Sequence, residues 1–149
     1  MIALLPAIAL LAAATPQTSG NAFHVENITL GEGPDDYCST VYWLETQPSG
    51  LKGPVPHILE ITEDGAFIKV DGKVFKLTPS RGSQTPDNPS VYKAAGAPTV
   101  EVDRTITRVD KDPDGGDIKR LLGTLKVTYH NKSQTLAVKG KDACYEGGL

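Results

Sequence analysis

Two Asp-Gly pairs, Asp64-Gly65 and Asp71-Gly72, punctuate the run HILEITEDGAFIKVDGKVFKLT at residues 57–78. Asp-Gly favours the positive backbone φ angles of tight hairpin turns. The apolar and β-branched stretches between the pairs are too short for helices. The spacing therefore predicts a meander of three strands over 57–63, 66–70 and 73–78. Both side-chain phases carry apolar residues, so Ile58, Leu59, Ile61, Phe67, Ile68, Val70, Val74, Phe75 and Leu77 compete for its core face.

The rest of the chain follows the same rhythm of short runs broken by Gly, Pro, Asn and Asp. Strands are expected at 23–30 (FHVENITL) and at 37–45, around Cys38. QPSGLKGPVP reads as a loop over 46–56, because closely spaced Pro and Gly do not sustain a ladder. PSRGSQTPDNPS at 79–90 is long, polar and Pro-rich, and only a short stretch around Val91-Tyr92 separates it from the break at Gly96-Ala97-Pro98. Loops of that length in a compact domain are usually functional or disordered. TVEVDRTITRV at 99–109 alternates, with Val100, Val102, Arg104, Ile106 and Arg108 on one face. An acidic loop at 110–117 leads to a strand over 118–130, in which Leu125, Val127 and Tyr129 alternate. A turn at Asn131-Lys132-Ser133 returns the chain through Leu136 and Val138. Together these runs predict an all-β fold, an antiparallel β-sandwich or small β-barrel of about eight strands.

The first residues do not belong to that pattern. MIALLPAIALLAAATPQ carries no charged side chain, and its apolar run ends in Ala12-Ala13-Ala14. An apolar core of this length followed by small residues is the form of a Sec signal peptide, with cleavage expected after Ala14. The segment departs from the usual form in having no Lys or Arg before its apolar core. It is shorter than the roughly 20 apolar residues a spanning helix needs, so no membrane insertion is expected. Its Ala/Leu-rich brevity points to a bacterial export route, hence to the periplasm or the medium. Residues 15–149 are then expected to form a single all-β domain.

Export changes the meaning of the two cysteines, Cys38 and Cys144. In an oxidising compartment a lone pair is expected to close a disulfide. The strand at 37–45 and the tail after the last hairpin should then lie side by side.

The net charge of −3 gives no reason to expect nucleic-acid binding. Charge is uneven, however: residues 1–103 hold six Lys/Arg against twelve Asp/Glu, and residues 104–149 hold nine against six. The basic residues are spread singly, which reads as solvated strand surface. Asp110-Lys-Asp112-Pro-Asp114-Gly115 resembles the first half of an EF-hand calcium loop, whose alternate carboxylates surround a hard cation. Asp110, Asp112, Asp114 and Asp117 would be the ligands, but Leu121 stands where that loop has its bidentate Glu. No metal or cofactor is therefore expected. His24, His57 and His130 lack the close pairing of a zinc site, and no serine sits in a local nucleophile motif.

An exported all-β domain with one cysteine on an early strand and the other near the C-terminus is similar to the periplasmic inhibitors of c-type lysozyme. Those inhibitors carry a Ser-Gly-x-x-Tyr loop. Here Ser90-Val91-Tyr92 lacks the glycine and the spacing, so the similarity is confined to the cysteine layout. The leading expectation is an exported non-enzymatic domain that binds a protein or cell-envelope partner. Its contacts are expected on the loop 79–98, with Tyr92 and Arg81, and on the loop 46–56. The alternative is a small periplasmic hydrolase with a His/Ser/Asp site assembled from distant positions.

Overall fold

The structure, a computed structural model, describes residues 23–29, 31–34, 38–47, 56–80, 90–113 and 118–144, with the side chains of residues 143 and 144 left out. The expected signal segment with Ala14, and Arg81, lie outside the described residues. So does most of the 46–56 segment.

Among the described residues, nine strands follow in order: β1 (Val25–Glu26), β2 (Cys38–Leu44), β3 (Leu59–Thr62), β4 (Gly65–Val70), β5 (Lys73–Pro79), β6 (Val91–Ala94), β7 (Val100–Lys111), β8 (Lys119–Tyr129) and β9 (Lys132–Cys144). From β2 onward each strand pairs antiparallel with the next, and β9 returns to pair with β2. The ladder has no break, so the fold is a closed eight-stranded up-and-down barrel rather than a sandwich. β1 is an extra strand that pairs with the end of β4. A barrel of eight strands has an interior that side chains can fill. Tyr42, Leu59, Ile68, Leu77, Val102 and Leu125 are all fully buried there.

Closure brings Cys38 directly opposite Cys144 in the β2–β9 register. Directly opposed residues of an antiparallel pair have Cα atoms roughly 4.5–5.5 Å apart, within the range a disulfide spans. The expected juxtaposition of the two strands is thus found.

The turns differ from expectation in instructive ways. Asp71-Gly72 forms the two-residue turn between Val70 and Lys73, with φ of 45° and 78°. At the other Asp-Gly pair, Thr62 pairs with Gly65, so the turn is Glu63-Asp64 and Gly65 opens β4 at φ 136°. A side chain on Gly65 would collide with the carbonyl oxygen of Leu77. The glycine serves close approach, not the turn. The last hairpin turns at His130-Asn131, φ 49° and 60°, between Tyr129 and Lys132, one residue before the expected position.

β7 carries the main departure. Ile106 pairs with Gly123 and Arg108 with Leu122, so a bulge at Thr107 interrupts the alternation. Val100, Val102, Arg104 and Ile106 keep the inner face, while Arg108 moves to the outer one. An added residue on one strand has this effect because side chains alternate with period two.

Antiparallel order also fixes the two ends. The starts of β2, β4, β6 and β8 and the ends of β3, β5, β7 and β9 share one end, which holds Cys38 and Cys144. The opposite end is closed by aromatic rings. Phe23, 3% exposed, meets Tyr129 edge-on at 5.7 Å, and Phe75 meets the same ring at 5.9 Å. The chain between β5 and β6 leaves and returns at the cysteine end. The chain between β2 and β3 does so at the aromatic end. β6 divides the expected 79–98 loop, sending 95–99 to the aromatic end as well.

The N-terminal arm, residues 23–29 and 31–34, lies against the outer wall of β3 and β4. Ile28 bridges to His57, and Glu32 accepts from Lys69 Nζ at 2.8 and 3.0 Å. Thr29 adds donations from its backbone N and its hydroxyl to the same carboxylate. The Lys69 hydrogen bond, then those from Thr29, pull the Glu32 pKa from 4.5 down to about 2. A depressed carboxylate contributes stability above its unfolded pKa and loses it as pH falls through the folded one. The arm's contribution should thus fade between about pH 4.5 and 2. Urea melts across that window should show a shallower acid loss for Glu32→Gln than for the native chain. Parallel losses would remove Glu32 from the acid response.

Candidate functional site

Arg104 is the anomaly of the barrel interior. It follows Val100 and Val102 on the inner face of β7 and is only 9% exposed. Burying a guanidinium costs several kcal/mol unless hydrogen bonds and opposite charge offset it. Tyr42 is one of its partners. Arg104 Nη1 donates to the Tyr42 hydroxyl at 2.8 Å, and the guanidinium carbon sits 5.9 Å from the centre of the Tyr42 ring. The ring itself needs room, which β9 supplies at Gly140. A Cβ there would lie 2.7 Å from two Tyr42 ring carbons.

Three further polar side chains accompany this pair toward the cysteine end. Tyr92, near the start of β6, is 2% exposed. Thr40, near the start of β2, donates to Asp142 Oδ1 of β9 at 3.2 Å. Burial raises the Tyr42 phenol above its ordinary pKa of 10, with the Arg104 charge opposing. Burial raises Tyr92 too, again against Arg104. Both phenols therefore stay protonated at neutral pH. The Tyr42 hydroxyl serves Arg104 as a hydrogen-bond acceptor. The Arg104–Tyr42 bond ties β7 to β2 across the interior, and the Thr40–Asp142 bond ties β2 to β9.

This placement corrects the role expected of Tyr92. It was expected on a loop surface, but Val91-Tyr92-Lys93-Ala94 alternates and points Tyr92 and Ala94 inward. A ring with 2% exposure offers no contact to an outside protein. Glu60 faces outward on β3 and owes its burial to the arm residue Gly33 above it, which nothing near it in the sequence signals.

The histidines sit beside carboxylates or rings. His57 Nε2 lies 3.1 Å from Glu60 Oε2, under the arm residue Gly33. His24 Nδ1 is 3.6 Å from Asp71 Oδ1, on an exposed turn. His130 packs edge-on against Tyr129 at 4.2 Å. The three are spread over the outer wall and the aromatic end, and do not converge.

In the acidic segment, two of the four aspartates of the EF-hand-like run face arginines. Asp112 accepts from Arg120 Nε and Nη2, both at 3.1 Å, and Asp110 accepts from Arg108 Nε at 2.6 Å. Asp114 and Asp117 lie outside the described residues. Among the described residues, no group of three or more His, Cys, Asp or Glu side chains is arranged to hold a metal ion. No helix among them is long and apolar enough to cross a membrane.

No family model, curated protein or solved structure matches the chain.

Proposed function

We propose that the protein is an exported, non-enzymatic binding domain that engages a protein or another component of the bacterial cell envelope, in the manner of an inhibitor. The observation that carries this reading is the filled, closed barrel. Its polar interior residues hold strands to one another, its phenols are protonated, and its cysteines oppose each other at the closing seam. Function then falls to the outer wall and to the connections at the cysteine end. The apolar segment ending at Ala14 supports export to the periplasm or medium. In that compartment the opposed Cys38 and Cys144 would close a disulfide.

The test is crosslinking of the tagged protein in its native envelope, followed by mass spectrometry. One partner should be captured reproducibly. Replacing residues 81–89 by a short Gly-Ser linker should abolish capture and leave the thermal midpoint nearly unchanged, because Ser80 and Ser90 keep their ladder bonds to β6 and β7. Undiminished capture would remove that connection from the contact surface. The hydrolase reading draws on His57, which Glu60 orients as a general base would be oriented. Its test is His24, His57 and His130 replaced singly by Asn, assayed on ester, peptide and glycan substrates. Activity lost with one of them would favour the enzyme.

A further inference from the structure

The basic residues that are scattered singly along the C-terminal part of the sequence are gathered by strand register. On the outer wall of β2, β9, β8 and β7, one row runs Val41, Lys141, Arg120, Asp110. The next row runs Trp43, Lys139, Leu122, Arg108. Arg108 belongs to this face only because the bulge at Thr107 turns it outward. Four cations and three half-buried apolar side chains thus occupy adjacent positions close to the cysteine end.

The arrangement works against the fold. Lys141 stands directly opposite Arg120, and like charges in opposed positions destabilise a sheet. Two carboxylates compensate the guanidiniums: Asp112 bonds Arg120 and Asp110 bonds Arg108. The lysines are not compensated in this way. Lys139 Nζ reaches the Gln47 carbonyl oxygen at 3.2 Å, and Lys141 has no acidic partner among the described residues. Among the described residues of these strands' outer rows, four cations against the two carboxylates that bond them leave two positive charges, in a chain whose net charge is −3.

We infer that this wall is a docking surface for an acidic segment of a partner protein. The inference rests on the binding reading above and names the chemistry of the partner. Lys139 and Lys141 would pair with carboxylates, while Trp43, Val41 and Leu122 supply the apolar contact that aromatic and aliphatic anchors give protein interfaces. A lipid surface fits less well. Among the described residues the exposed large hydrophobic is Val109, which pairs with the inward-facing Leu121 and so is not on this wall. No large apolar side chain protrudes from the wall to enter a bilayer.

The test uses the purified protein and a fluorescent Asp/Glu-rich peptide of about fifteen residues, read by anisotropy at low salt. The peptide should bind despite the net negative charge, and binding should weaken as salt screens it. Lys139→Glu with Lys141→Glu should weaken it by about tenfold or more without lowering the thermal midpoint, since Glu at position 141 would face Arg120. Trp43→Ala should weaken it without altering the salt dependence. Lys73→Glu with Lys76→Glu, on the opposite side of the barrel, supplies the same charge change and should leave binding as it was. Equal losses from the two double reversals would overturn the inference. Binding to phosphatidylglycerol vesicles but not to the peptide would also overturn it. Envelope capture that survives the Lys139/Lys141 reversal would overturn this surface and leave the binding reading standing.

Discussion

Gly123→Ala is expected to destabilise the barrel by about 3 kcal/mol or more, at the upper end of overpacking costs. A Cβ at Gly123 would collide with the carbonyl oxygen of Thr105 and crowd the Ile106 Cα. Both are backbone atoms of the paired strand, so no rotamer change relieves the contact. The position is also where β7 bulges, between the Ile106 and Arg108 pairings. The wall can accommodate the extra residue there only if β8 has no side chain beneath it. Urea unfolding of the variant measures the effect. A loss below about 0.5 kcal/mol, the range of ordinary surface substitutions, would show that the bulge does not need this glycine.

Loss of the cysteine pair carries the second large effect. Cys38→Ser with Cys144→Ser, or full reduction of the native protein, is expected to cost about 2–5 kcal/mol. The argument is one of chain entropy. A bridge between these residues closes a loop that holds nearly the whole barrel, and a loop of roughly 100 residues gives up to about 4.7 kcal/mol in that model. Topology adds a second reason. β2 and β9 are the first and last strands of the closed ladder, so their seam is the one junction with no hairpin to hold it. Cys38 and Cys144 stand at its end. Thermal melts with and without reductant should therefore differ by many degrees, whereas the double serine variant should be insensitive to reductant. Coincident melts for the native protein would mean that the seam holds without a bridge.

The parts of the fold that were legible in the sequence are those with local signals. Asp71-Gly72 set a hairpin turn as its chemistry demands, and the alternation of Leu125, Val127 and Tyr129 marked β8. The parts that were not legible depend on distant residues. Gly65 resembled a turn residue, but its reason lies across the sheet at Leu77. The bulge at Thr107 was hidden because TVEVDRTITRV alternates smoothly through it. Nothing near Tyr92 said that the strand it starts would be flanked by β5 and β7, which turned a supposed contact residue into core. Barrel and sandwich differ in the pairing of the first strand with the last, for which the cysteines were the sole clue.

The candidate surfaces divide in the same way. The connection between β5 and β6 was legible as a long polar segment. The basic wall was not, because Arg108, Arg120, Lys139 and Lys141 are separated in sequence and meet only through the β9–β8–β7 register. Arg104 was placed correctly on a face with Val100 and Val102. What the sequence could not show was the Tyr42 hydroxyl waiting for it 62 residues away.

The most direct test of the account is non-reducing peptide mapping of the protein recovered from the periplasm or medium. A closed barrel, exported and bridged at its seam, should yield one crosslinked peptide pair joining Cys38 to Cys144, with no thiol open to alkylation before reduction. Alkylation of both cysteines in the exported protein would contradict it.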